Sequence, residues 1–350
     1  MHDLAMDSPE RERRGSIALD QWRGLAVILV LISHGFYFSG RVHGIGRVGV
    51  NLFFFISGVL VFRSLAFSKA PGDWQRARSF WWRRLRRLYP AMLAYVAPML
   101  LITWELYQIP EWRTVADLGT YMRDIPFALT YLVNYGPGQN MSLGHLWSLG
   151  CEMQFYFLAP FIWIAAGREP KRFVVFALVL AVLVSLGMVQ PLIGRWKYHF
   201  EFAVWPMMLG FFCEYKRNWF LRIPVRIVNL LLWLALAVCA GSMICMLFGQ
   251  EMKTLVIAIG ALLLLPCFLS YRFGRSMPGL PGYGMEWIGV RTYSIYLWQQ
   301  PLTLCHFLPT VWQPLGAMAA VGVGAVSYRF FEFPFLSAGR QKQERARAVA

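Results

Sequence analysis

Apolar residues in this chain run in long unbroken blocks, not in the alternating pattern of half-buried strands or the single stripe of surface helices. A block of about twenty is what one helix needs to cross a hydrocarbon core of about 30 Å. Ten such blocks occur, at about 22–38, 48–66, 89–106, 146–166, 173–190, 199–215, 227–248, 254–270, 288–307 and 312–333. A shorter stretch, 125–134, predicts a re-entrant or interfacial helix. The connections between blocks are too short to hold a soluble catalytic domain, so any chemistry must use the spans and their loops. The pattern predicts an all-α integral membrane protein of about ten transmembrane helices. Its transmembrane domain covers 19–336, between polar tails at 1–18 and 337–350.

Composition agrees, with 57% hydrophobic and 15% charged residues. The net charge of +16 would suggest nucleic acid in a soluble protein. Its distribution argues otherwise. With the N-terminus inside, 24 of the 34 Lys and Arg residues fall on the inner side and seven on the outer. That is the positive-inside bias, and it predicts that both termini are cytoplasmic and that nucleic acid is no partner. Residues 1–18 hold no short apolar core with a cleavage site, so the first span is expected to stay as an uncleaved anchor. The six cysteines (151, 213, 239, 245, 267, 305) all lie in predicted spans without a CxxC, which suits buried small side chains better than disulfides or a metal site.

Polar side chains break the apolar background in four places. Arg23 and His34, eleven residues apart, fall on nearly one face of the first span and differ in rise by roughly 16 Å. Asp20 can pair with Arg23, and both also suit plain interfacial anchoring. His34, beside Ser33, lies where an ionisable group marks a functional site, although a helix-to-helix hydrogen bond is the blander reading. The second place is Trp81-Trp82-Arg83-Arg84-Leu85-Arg86-Arg87, before the third span. Its guanidinium forks suit phosphates and its aromatics offer a stacking surface; contact with anionic lipid heads explains it equally well. The third runs from His145 through Trp147 and Ser148 to Glu152, a carboxylate inside a span that needs a proton or a cation. His145 and Trp147 also read as interfacial residues. In the fourth, Ser294, Tyr296 and Gln299 are expected to hydrogen-bond between helices or line a polar cavity. Glu332 is expected to pair with Arg329 or cap a loop.

Taken in order, these segments resemble acyltransferase family 3, multi-spanning membrane proteins that O-acylate bacterial glycans and related molecules. Arg23 and His34 match its arginine-ten-residues-histidine motif, and Gly49-Val50-Asn51-Leu52-Phe53-Phe54 its glycine-valine-acidic-Leu-Phe-Phe segment. Arg84 and Arg87 fill its RxxR positions, and Trp147-Ser148-Leu149 with Glu152, Gln154, Phe155 and Tyr156 its WSL…E.QFY signature. Tyr293 to Trp298 and Glu332-Phe333-Pro334 complete the series. Three positions depart: Asn51 stands where many members have Asp, Met153 replaces a second acid, and Gln299 stands where a histidine often follows the Leu-Trp pair.

The resemblance implies a stand-alone O-acyltransferase of the bacterial inner membrane. It would move an acyl group, most simply acetyl, from cytoplasmic acyl-CoA to a hydroxyl of a sugar, surface polysaccharide or lipid-linked glycan. No permanently bound cofactor and no metal are expected; acyl-CoA is a substrate. His34 would be the general base or a transiently acylated nucleophile, with Glu152 as the second catalytic group. Arg23, Arg83, Arg84 and Arg87, with Trp82, would bind or position the donor. Asp20, Ser33, Asn51, His145, Trp147, Ser148, Tyr296 and Gln299 would line or orient the site. The competing readings are a proton-coupled transporter or flippase, against which the lack of an internal repeat counts, and a non-catalytic assembly subunit.

Overall fold

The computed structural model describes residues 9–36, 43–113 apart from 69, 117–136, 140–185, 200–220, 262–303 and 312–336, with scattered positions between 222 and 237. All regular structure among these is helical. The helices are α1 (Pro9–Gly35), α2 (His43–Ala66), α3 (Asp73–Tyr107), α4 (Leu118–Leu129), α5 (Met141–Gly144), α6 (Trp147–Ala165) and α7 (Pro170–Ser185). They continue with α8 (Phe200–Tyr215), α9 (Arg217–Phe220), α10 (Leu264–Phe273), α11 (Gly279–Val290), α12 (Thr292–Thr303) and α13 (Gln313–Ser327), which runs into a π-helical turn, Tyr328–Glu332. Four described helices are long and apolar enough to cross a membrane: 10–35, 45–66, 73–107 and 313–336. The expected span 227–248, and 254–270 up to residue 261, fall largely outside the described residues.

Several boundaries differ from those the apolar blocks predict. α1 starts at Pro9, well before its block, with Glu10 and Glu12 in the first turn, where acidic side chains suit the helix dipole. α3 is 35 residues long, about 52 Å, so the arginine-rich segment before Leu88 is helix and not loop. Pro90 and Pro98 both lie inside it. The stretch 125–134 is not one helix: α4 ends at Leu129 and Tyr131 turns the chain in the left-handed region, at φ 57°. The block 288–307 breaks at Arg291, which separates α11 from α12.

The chain forms two compact units. The first contains residues 1–62 and 206–292, the second 63–205 and 293–350. In the first, Trp22 and Ala26 of α1, Leu52, Phe55 and Ile56 of α2, and Cys267 and Phe268 of α10 share a core. α1 and α11 approach through glycine. A Cβ at Gly24 would overlap the Met285 carbonyl oxygen, and one at Gly289 the carbonyl oxygen of Asp20. Small residues of this kind let backbones pack directly where apolar burial gives no drive between helices. Gln21 locks the same contact: its amide donates to the carbonyls of Met277 (3.0 Å) and Gly282 (3.2 Å) and accepts from Met277 N–H (2.6 Å). A buried ionic group that the apolar pattern does not announce, Glu214 with Arg217 (3.8 Å) and Arg272 (4.0 Å), lies in this unit too.

In the second unit, Met92, Tyr95 and Val96 of α3 pack with Tyr121 of α4, Leu143 of α5 and Leu297 of α12. Tyr121 donates to the Val96 carbonyl at 3.0 Å, and Tyr95 donates to that of Ser142. Asp117 caps α4, accepting from Thr120 N–H at 3.0 Å and from its hydroxyl. These bonds hold the exposed Asp117 carboxyl below its ordinary range. Many large apolar side chains face outward, among them Leu101, Trp104, Phe157, Met318 and Phe330. In a molecule with helices of this length, that surface suits lipid.

Candidate functional site

The predicted site residues divide between the two units. Asp20, Arg23, Ser33, His34 and Asn51 belong to the first unit; Trp82, Arg83, Arg84, Arg87, His145, Trp147, Ser148, Glu152, Tyr296 and Gln299 belong to the second.

In the first unit, α1 is continuous from Pro9 to Gly35, so Arg23 and His34 keep their shared face and their separation of roughly 16 Å. Arg23 and Asp20 form the expected pair at 2.8 Å, both mostly covered. His34 is half-buried in the last turn of α1. Ser33 beside it is buried where α2 comes close, a Cβ at Gly46 lying 2.9 Å from the Ser33 hydroxyl oxygen. Asn51, half-buried, follows on α2.

The second unit holds a denser polar network, built around the N-terminal half of α3. Arg84 lies over two aromatic faces, its guanidinium carbon 3.8 Å from the ring centre of Phe80 and 4.4 Å from that of Tyr156. The Tyr156 hydroxyl donates to Glu152, one helical turn earlier on α6. Phe80 and Tyr156 meet edge to face at 6.1 Å, so the platform under Arg84 is itself packed. Trp81 donates to the Tyr156 carbonyl at 3.0 Å and stacks on Phe157, which ties α3 to α6 at this level. Arg83 donates to the Ser64 hydroxyl at 3.2 Å. Trp82 is 62% exposed, as a lipid or ligand platform must be.

Arg87 corrects one expectation. Glu332 pairs with Arg87 at 3.3 Å and not with Arg329, whose guanidinium lies over Phe333. The cause is the π turn at Tyr328–Glu332. It carries more residues per turn than an α-helix, so residues three apart no longer share a face. Glu332 is fully buried, and Ser294 of α12 donates to its second oxygen at 2.9 Å.

Ser148 and Tyr296 share a hydrogen bond of 2.7 Å, and Tyr296 donates to the His145 carbonyl at 3.1 Å. His145 is buried, its Nε2 3.0 Å from the Leu297 carbonyl oxygen and its ring edge-on to Tyr95. Trp147 is half-buried at the start of α6. Gln299 is fully buried, and its backbone carbonyl accepts from the Thr303 hydroxyl, one turn later on α12, at 2.7 Å. Ser294 and Tyr296 therefore bond to residues outside α12, the interhelical reading, whereas the bond at Gln299 stays within α12. Sequence reasoning missed the short bend after α4. There Asn134 and Gln154 exchange amide hydrogen bonds of 2.7 and 3.2 Å, Gln154 donates to the Tyr131 carbonyl, and Tyr131 meets Tyr293 hydroxyl to hydroxyl at 3.1 Å. The signal for it was Tyr131 and Asn134 inside a stretch too short to span.

A family model described as an acyltransferase domain matches residues 16–327. The chain is 26% identical to the peptidoglycan O-acetyltransferase OatA of Listeria monocytogenes, over 92% of this chain and 56% of that protein. It is 26% identical to the putative peptidoglycan O-acetyltransferase YrhL of Bacillus subtilis, over 92% and 55%. With the putative membrane-bound transacylase BcsY of Komagataeibacter xylinus the identity is 28%, over 89% and 78%. The chain thus spans a little over half the length of the first two. No solved structure matches it.

Proposed function

The chain belongs to acyltransferase family 3, and on that premise we propose that it is a multi-pass O-acetyltransferase of a bacterial inner membrane. Acyl-CoA, as acetyl-CoA, is the donor, and a hydroxyl of a sugar, surface polysaccharide or lipid-linked glycan is the acceptor. Two relatives carry peptidoglycan in their names, which favours a cell-envelope glycan. The observation that carries the reading is the unbroken α1. It holds a charge-paired arginine and a histidine on one face, at a separation that an extended pantetheine arm can bridge.

In this mechanism His34 takes the proton of the acceptor hydroxyl as its oxygen attacks the thioester carbonyl. The carbon–sulfur bond breaks, the acetyl group passes to the acceptor oxygen, and the thiolate leaves as CoA after taking the proton. In the two-step variant His34 itself receives the acetyl group, releases CoA, and then passes the group to the hydroxyl. Glu152 is the second catalytic group. Arg84 and Arg87 take the phosphates of the donor through charge-assisted hydrogen bonds, and Arg23 is a further positioning charge.

The test replaces His34 with Ala and with Gln and measures acetyl transfer from acetyl-CoA in membranes holding equal amounts of folded protein. Turnover is expected to fall by about 10² or more in both variants. Near-normal turnover would overturn both versions of the mechanism. A wild-type protein that leaves acetyl-CoA intact while moving a glycan precursor would overturn the enzyme reading itself.

A further inference from the structure

We infer that Glu332 is a positioning residue, held by Ser294, that fixes Arg87 as one half of a two-arginine site for the donor's phosphate groups. The inference rests on the function proposed above and adds to it how the site is set. Arg84 and Arg87 lie three residues apart within continuous helix, so their side chains leave α3 on neighbouring lines. Each is held in a different way. Arg84 rests on the faces of Phe80 and Tyr156, and its buried Nε has no hydrogen-bond partner among the described residues. Arg87 is held at Nε by a carboxylate.

That carboxylate is costly where it stands. Glu332 is fully buried, in a helix apolar enough to cross a membrane, and burying a charge there needs a strong compensation. The Ser294 hydroxyl fixes its second oxygen, so the group is held against rotation. The π turn points it at Arg87. Turns of this kind occur often at functional sites. The Arg87 side chain is still one third exposed, so a residue anchored to a buried acid reaches out of the packed interior. Four arginines between 83 and 87 stand against Glu152 and Glu332, so the segment keeps a positive balance that suits a multiply charged phosphate group. Fixing a guanidinium before the ligand arrives lowers the ordering cost of binding, which is the benefit we assign to the buried acid.

The experiment compares wild type with Glu332→Gln, Glu332→Asp and Ser294→Ala as full chains in phosphatidylcholine vesicles. It reads kcat and KM for acetyl-CoA per folded protein, together with direct binding of CoA. For Glu332→Gln, KM and the CoA dissociation constant are expected to rise about tenfold with kcat within about twofold, the scale of one lost charge-assisted hydrogen bond. Glu332→Asp should recover part of that loss, and Ser294→Ala, the milder change, should give about a threefold rise. Less folded protein, with unchanged KM and CoA binding in what remains, means that Glu332 only supports the fold and overturns the inference. Replacing CoA by its 3′-dephospho form should narrow the difference between wild type and Glu332→Gln. A difference that appears only when anionic lipid is added assigns the arginines to lipid headgroups and also overturns it. Wild-type protein that binds CoA but transfers no acetyl group would end the proposed function alone; the effect of Glu332→Gln on that binding would still decide this inference.

Discussion

Arg84 is held by ring faces, and that makes it poorly replaceable by another cation. A lysine keeps the charge but loses the planar fork and the stacking on Phe80 and Tyr156. Arg84→Lys is therefore expected to weaken CoA binding about tenfold, read by titration of the purified protein, while a surface change such as Arg78→Lys leaves it unaltered. Equal binding by the two variants would remove Arg84 from the donor site. At this scale the sequence is informative wherever an ionisable group interrupts an apolar run, which is how Arg23, His34 and Glu152 stand out. It is silent on partners brought from afar. Glu332 and Arg87 lie 245 positions apart, and the local rule that residues three apart pair on a helix pointed to Arg329 instead. The rule failed because it assumes an α-helical turn.

Helix boundaries follow a similar logic. Hydropathy reports where apolar composition stops, whereas a helix stops where its backbone groups find other partners. α3 therefore continues through the arginine segment that reads as a loop, and α1 starts among charged residues. The contact between α1 and α11 shows what composition cannot. Gly24 and Gly289 look like ordinary span glycines, yet each sits against a carbonyl oxygen of the facing helix. Gly289→Ala must push the two backbones apart, and a loss of about 1–3 kcal/mol is expected, seen as a lower thermal midpoint in detergent. Gly284→Ala on the same helix meets no atom and serves as the control. Equal midpoints would show that α1 and α11 do not pack as described.

For the molecule as a whole, the apolar blocks announce an all-helical membrane protein, and every regular element among the described residues is a helix. The division into two units is not visible in those blocks, because hydropathy carries no information about which helices share a core. The distribution of arginine and lysine adds a prediction of orientation. Pro71→Cys, in the loop between α2 and α3, should react with an impermeant thiol reagent only after the membrane is opened. Glu111→Cys, after α3, should react in intact cells. Both positions are exposed, and the described native cysteines are buried. The reverse labelling pattern would invert the assignment of every loop and place the arginine segment on the wrong side for a cytoplasmic donor.

The π turn also sets how such a protein can change by descent. A π turn holds one residue more than the α-helical turn it replaces, so deleting a single codon between Tyr328 and Glu332 would return the helix to regular winding. The segment would stay as apolar as before and would still insert in the same register, but where the lost codon is that of Glu332 the acid is gone from Arg87. One inherited step therefore separates a chain with a preset arginine pair from one that resembles it in every hydropathy plot and has lost half of that setting.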